Sequence, residues 1–357
     1  MKVAMVCPYD WSFPGGVRTH IVGLSDALRG KGLSVDIFAP ASGAEPGVHV
    51  VGRSFPIRFN GSVARICFSR SARSKLAVAL ASGAYDVIHL HEPAIPSVSF
   101  LALGVARGPM VATFHASSTS SRAYSVAGPW LNRKLSKVDI RIAVSSASRD
   151  LASTNLPGEY ELIPNGVNVE QFARAKADAS LAALKPFILF VGRNEPRKGL
   201  QVALSAVERM RERSSVNLVA VGPLPTEVPS WVRALGSVGQ QTLPSIYAAA
   251  DVFCAPSVSG ESFGIVLAEA MAAGLPVVCS DLPGYVEAAG GAALHAPVGD
   301  INETARLLER ALEAETSRDL IARGRVRARE LDWDTLCEKV VERYQRASAG
   351  TNKRKES

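Results

Sequence analysis

Short apolar runs rich in Val, Ile and Phe alternate with amphipathic stretches of helical period along the chain. That alternation is the signature of parallel strands joined by crossover helices, and it assigns the chain to the α/β class. In the first half, KVAMVCP, LSVDIFAP, DVIHLHEP, PMVATFH and IRIAVSS predict strands; PFILFVGR, VNLVAVG, DVFCAPS and LPVVCSD do so in the second. Many of these runs end in Gly, Pro, Ser or His, where open α/β sheets place their ligand loops. Near the end, ELDWDTLCEKVVERYQRA has helical spacing, with Leu336, Val340 and Tyr344 on one face. The charged TNKRKES that closes the chain is expected to be disordered.

A chain of 357 residues exceeds what one hydrophobic core serves, so two domains are expected. The turn cluster Pro164-Asn165-Gly166, followed by a polar, alanine-rich stretch to Lys185, marks the changeover. The expected division is 1–168, 169–330, a C-terminal helix over 331–347 that packs back on the first domain, and a tail over 348–357. No apolar run reaches the roughly 18 residues of a membrane span; Ala94–Ala106 is too short and meets Arg107. The N-terminus lacks a signal-peptide layout, and five cysteines without paired spacing read as reduced thiols, so a cytoplasmic location is expected.

Charge changes the picture. The formal net charge is +7, and the whole excess lies within residues 1–168. No acidic residue falls between Pro46 and Tyr85, a stretch that carries Arg53, Arg58, Arg65, Arg70, Arg73 and Lys75. Such a patch attracts phosphates, although a solvated basic face accounts for it equally well. With 6% aromatics and no helix-turn-helix or RNA-binding pattern, nucleic acid is not an expected partner.

Three stretches carry candidate chemistry. In PYDWSFPGGVRTH a strand gives way to Gly15-Gly16 and a helix, so the backbone can approach an anion at the helix start, although a paired-glycine turn is more often structural. The dinucleotide pattern G-x-G-x-x-G is absent. In FVGRNEPRKGL, Arg193, Arg197 and Lys198 follow a strand directly, where they can clamp a diphosphate. In GESFGIVLAEAMAAG, a helix closed by Gly274 and Pro276 would aim the N–H groups of Phe263, Gly264 and Ile265 at a phosphate. Glu261 and Glu269 in that stretch would lie about 12 Å apart at the ~1.5 Å helical rise, too far for a catalytic pair and suited to one extended ligand.

Two glutamates framing ESFGIVLAE, preceded by GRNEPRKG and an N-terminal GGV, resemble the retaining glycosyltransferases of family four, the two-Rossmann-domain GT-B architecture. MVCPYD, PIRFNGSVARICF, DVIHLHEP, VATFHAS and IPNGV narrow the resemblance to members that mannosylate phosphatidylinositol. It runs from Met1 to about Ala347 and implies two sheets facing across a cleft. It implies mannose transfer with retention from GDP-mannose to the inositol ring of phosphatidylinositol at the cytosolic face of the membrane. Another sugar nucleotide or a soluble inositol phosphate acceptor is the alternative.

Residue by residue, the resemblance implies that Arg193, Arg197 and Lys198 hold the donor diphosphate and that Gly16 adds a backbone N–H. Glu269 would bind the ribose and Glu261 the transferred sugar, with Phe263, Gly264 and Ile265 lining the phosphate end. His115 would stand beside the reacting sugar; on spacing alone it is a strand-end histidine equally suited to structure or function. Tyr9, Arg18, Phe59, Asn60, Ser62 and Arg65 would receive the inositol phosphate. No carboxylate nucleophile is evident, so a front-face displacement is implied, with Arg193, Lys198, Glu261 and His115 as its catalytic group. No tightly bound cofactor is implied, with Mg2+ able to accompany the diphosphate, and a monomer is expected. DWD at Asp332–Asp334 reads as a helix cap and HLHE at His89–Glu92 as structural, so no metal site is expected.

Overall fold

The computed structural model describes residues 1–59, 62–116, 131–223 and 227–356; the side chains at 58, 59, 62 and beyond 350 lie outside that description. The chain forms two compact units, one of Met1–Asn165 with Trp333–Ser357 and one of Gly166–Asp332.

The first unit contains β1 (Lys2–Val6), β2 (Ser34–Pro40), β3 (Val48–Gly52), β4 (Phe55–Phe59), β5 (Ser62–Ile66), β6 (Val87–His91), β7 (Met110–Phe114), β8 (Ile140–Ala143) and β9 (Glu161–Leu162). Its parallel sheet has the order β3-β2-β1-β6-β7-β8-β9, and β4 and β5 form a separate antiparallel hairpin. The second unit contains β10 (Phe187–Val191), β11 (Asn217–Val221), β12 (Val232–Gly236), β13 (Val252–Ala255), β14 (Val277–Ser280) and β15 (Leu294–Ala296), ordered β12-β11-β10-β13-β14-β15. In each sheet the first strand is central and the order reverses beside it, which is the doubly wound Rossmann arrangement.

All nine runs that the apolar pattern marks are strands, because helices cover both faces of a parallel sheet and its inner strands must be apolar throughout. β6 and β7 are buried at every position. The strands that the pattern misses lie at sheet edges or in the hairpin. β3 and β12 are only partly buried, and β15 has three residues.

The final helix, Trp333–Glu356, belongs to the first unit. Leu336, Val340 and Tyr344 are buried in one core with Ile21, Leu24 and Leu28 of the helix Gly16–Gly30. Each such side chain contributes roughly 1.5–3 kcal/mol on burial. Gly23 makes room: a Cβ there would lie 2.0 Å from the Trp333 indole nitrogen. The helix continues past Ala347, where the sequence pattern ends it and a disordered tail is expected. Lys353, Arg354 and Lys355 are good helix formers, and basic residues at a C-terminus complement the helix dipole.

Candidate active site

Open α/β sheets bind ligands beyond the strand C-termini where the order reverses. In the second unit that point lies between β10 and β13, and the loops after these two strands carry Arg193–Lys198 and Ser257–Glu261. Gly199 joins the loops. Its φ is +71°, and a Cβ would lie 1.8 Å from the carbonyl oxygen of Pro256, so only glycine allows the approach. Val258 N–H then donates to the Arg197 carbonyl at 2.8 Å.

The approach brings opposite charges together. Lys198 Nζ lies 2.6 Å from Glu261 Oε1, and an Arg197 guanidinium nitrogen lies 3.2 Å from the same oxygen. Ser257 Oγ also donates to it at 3.3 Å. Arg197 pairs in addition with Glu195 at 2.8 Å, and Arg193 reaches Glu195 at 3.2 Å. Three cations thus face two carboxylates, and Arg193, with 44% of its side chain exposed, is the most open of the three. Glu195 and Ser257 are absent from the sequence-based assignment. The spacing within GRNEPRKG places Glu195 between the cations and could have suggested its pairing; Ser257 has no local signal.

The helix expected after this loop spans Ile265–Ala272 and is entered through Gly264 at φ +97°. Phe263 is buried in the core, so its side chain anchors the loop and its backbone alone can face a ligand. Glu269 is also buried; among the described residues its side-chain donor is Tyr247, whose hydroxyl lies 2.9 Å from Oε2. Burial pushes the Glu269 carboxyl up to about 7, against the lowering effect of Tyr247. The two glutamates of GESFGIVLAE therefore differ. Glu261 is neutralised by cations, and Glu269 is held near its titration point.

In the first unit the corresponding point lies between β1 and β6. The loop after β1 carries Tyr9, which bridges to Ile66, and Asp10, a buried residue with no sequence assignment. The Asp10 carboxylate accepts from Ser42 Oγ at 2.7 Å, Ser54 Oγ at 2.5 Å and Ser12 N–H at 2.9 Å. Although burial raises it, these bonds hold its pKa below the usual carboxylate value. The guanidinium of Arg18 stacks over Trp11 at 5.3 Å and that of Arg65 over Phe13 at 4.2 Å. Tyr9, Arg18 and Arg65 thus meet around one loop, at the start of the helix that Gly16 opens. Phe59 ends β4 and Ser62 begins β5, while Asn60 lies outside the described residues.

His115 follows β7. Its amide donates to Glu92 Oε1, and the Ala116 amide donates to the same oxygen at 2.6 Å. Glu92 is buried and adopts φ +48°, a conformation that non-glycine residues seldom take. Burial pushes its carboxyl up to about 7 despite the two N–H donors. Of the HLHE residues, His89 is structural, lying 2.7 Å from both Tyr344 OH and Thr113 Oγ1. His91, however, reaches His115 directly, with Nδ1 3.1 Å from Nε2. His20, from the helix Gly16–Gly30, packs edge-on against His115. Burial holds the pKa of His20, His91 and His115 below the ordinary value, to about 4 for His20. No local signal joins His20 to His91 and His115; only tertiary structure does.

Comparison with known proteins bears on the family and the fold. Residues 14–171 match a family model described as Glycosyltransferase Family 4, and residues 185–314 match one described as Glycosyl transferases group 1. The phosphatidyl-myo-inositol mannosyltransferase of Mycobacterium leprae is 39% identical, over 99% of both chains. That of Mycolicibacterium smegmatis is 40% identical, over 98% of this chain and 94% of its own. The crystal structure of Anabaena HepE with UDP and glucose superposes with a TM-score of 0.73 at 21% identity, over 96% of this chain and 98% of that one. With two Rossmann-like units, charged loops at both reversal points and relatives matched along its whole length, this chain belongs to glycosyltransferase family four and has the GT-B architecture.

Proposed function

We propose that this glycosyltransferase moves mannose from GDP-mannose to the inositol ring of phosphatidylinositol, with retention of configuration. The observation that carries the donor side is the cluster of Arg193, Arg197 and Lys198 with Glu195 and Glu261 at the β10–β13 reversal point. Its surplus positive charge suits a diphosphate. Arg193 is exposed enough to meet it first, and Lys198 can turn from Glu261 as sugar hydroxyls take up that carboxylate. Glu269, once ionised, accepts hydrogen bonds from the ribose. In the front-face reaction the bond from sugar C1 to the phosphate oxygen breaks as the bond to the inositol oxygen forms on the same side. The inositol proton passes to the departing diphosphate, whose growing charge Arg193 and Lys198 stabilise. His115, kept neutral by burial, adds no positive charge beside a sugar that is itself becoming cationic.

Glu195 and one oxygen of Glu261 are paired with cations, so Mg2+, where it accompanies the donor, would be held chiefly by the diphosphate, and no step depends on it. The acceptor side rests on Tyr9, Arg18 and Arg65 and on a surface where lipid can be met. The hairpin exposes Phe55, Ile57 and Val63, Phe68 follows it in the chain, and the helix Arg70–Ser82 exposes Val78 together with Arg70, Arg73 and Lys75. Basic and apolar groups together suit an anionic membrane surface. Among the described residues, no helix is long and apolar enough to cross a membrane.

The test is transfer from labelled GDP-mannose to phosphatidylinositol in anionic vesicles, beside a vesicle-free reaction with inositol phosphate. Labelled lipid with α-linked mannose supports the reading. Label on the soluble acceptor alone refutes the lipid assignment, and no transfer to either refutes the donor.

A further inference from the structure

We propose that His20, His91 and His115 together bind one divalent transition-metal ion of the zinc class, leaving its fourth coordination position open. The three come from different elements of the first unit: the helix Gly16–Gly30, the end of β6 and the residue after β7. One candidate ligand nitrogen from each lies within 4.8 Å of the other two. Their ring centroids are 4.6 Å apart for His20–His115, 5.3 Å for His20–His91 and 5.4 Å for His91–His115. Three imidazoles on one tetrahedral zinc, bonded at ~2.0–2.1 Å, have centroids about 5 Å apart, so the rings already stand at coordinating separation. The 3.1 Å between His91 Nδ1 and His115 Nε2 is near the roughly 3.3 Å between two nitrogens on such an ion.

A purely structural histidine cluster would satisfy its buried nitrogens, as buried polar atoms generally do. This one does not: Nε2 of His20, the nitrogen that would coordinate, is buried without a hydrogen-bond partner among the described residues. The surroundings also match a metal site. His20 Nδ1 lies 2.8 Å from Asn165 Oδ1, an outer contact that fixes the ring and leaves Nε2 with its lone pair. His89, anchored by Tyr344 and Thr113, stacks on His91 at 4.3 Å and fixes that ring as well. Imidazole ligands select zinc, cobalt, nickel and copper over Mg2+. Because His115 is one of the three, a bound ion removes it from the sugar. This second consequence, inhibition, rests on the role proposed for His115 above.

The experiment is titration of the purified full chain with Co2+, read by the visible absorption of four-coordinate cobalt. One equivalent should saturate the bands, Zn2+ should abolish them, and His20→Gln and His91→Gln should each lose them while circular dichroism shows a folded protein. An absence of bands in the parent protein, or bands that persist in both variants, overturns the site. So does intense near-ultraviolet charge transfer, which would place cobalt on a cysteine. If either variant fails to fold, crystals of the parent protein soaked in Zn2+ decide by anomalous scattering: a peak among the three rings supports the site, and peaks only elsewhere overturn it. Transfer measured in the same samples should fall as Zn2+ fills the site and return with chelator. Cobalt bands without inhibition would uphold the metal site and refute the role given to His115.

Discussion

Lys198 has two tasks in this reading: it is the nearest counter-ion of Glu261, and it stabilises the leaving diphosphate. Lys198→Ala separates them by magnitude. Breaking a buried pair costs about 3–5 kcal/mol when the remaining charge is stranded. Glu261 is not stranded, because Arg197 at 3.2 Å and Ser257 at 3.3 Å stay on the same oxygen, and the Lys198 side chain is 18% exposed. The expected stability loss is therefore about 1–2 kcal/mol, a few degrees in the melting of a domain this size. Transfer should suffer far more, since losing a charge stabiliser at a reacting centre lowers kcat by ~10²–10³-fold, or ~2.7–4 kcal/mol of barrier. Initial rates with labelled GDP-mannose and thermal unfolding followed by circular dichroism measure both. A variant that melts a few degrees lower yet keeps a near-normal kcat would refute the argument and leave Lys198 as a counter-ion only.

Four further outcomes are expected. Affinity for GDP should tighten as pH rises through about 7, where Glu269 ionises, and Glu269→Gln should flatten that dependence; calorimetric titration across this range checks it. Stability should show the opposite sign for the raised carboxyls. Glu92 and Glu269 contribute fully below about 4.5 and lose that contribution as pH climbs through about 7. The buried histidines contribute above 6.5 and lose it as pH falls towards about 4 for His20, so denaturation midpoints should decline on both sides of the intermediate range. Gly199→Ala should cost at least the ~1–2 kcal/mol of a left-handed residue and weaken nucleotide binding, since its Cβ would push against Pro256; an unchanged melting temperature would count against the contact. Replacing Arg70, Arg73 and Lys75 with Gln should weaken binding to anionic vesicles by ~3 kcal/mol at low salt, with the difference shrinking as salt rises, whereas Phe68→Ser with Val78→Ser should weaken it at every salt level; co-sedimentation distinguishes the two.

The inner strands, the existence of two domains and the helical face of Leu336, Val340 and Tyr344 were legible from local pattern. Each follows from burial along one continuous segment: a strand covered on both faces must be apolar throughout, and a docked helix must be apolar on one stripe. The edge strands β3, β12 and β15 were not legible, because a half-covered strand need not be apolar. The loop cations and both glutamates of the candidate site could be named from their motifs, since they come from a few adjacent positions in two stretches. Their pairing could not be read that way. Lys198 meets Glu261 because Gly199 lets two loops from separate strands touch. The histidine cluster lay further out of reach. His20, His91 and His115 are spread over nearly a hundred positions, on a helix and at the ends of two strands, and of the three only His115 is singled out by its motif. Sequence spacing encodes neighbours along one strand or helix, whereas the separation of residues on different elements is set by sheet order and packing, and those exist only in the folded chain.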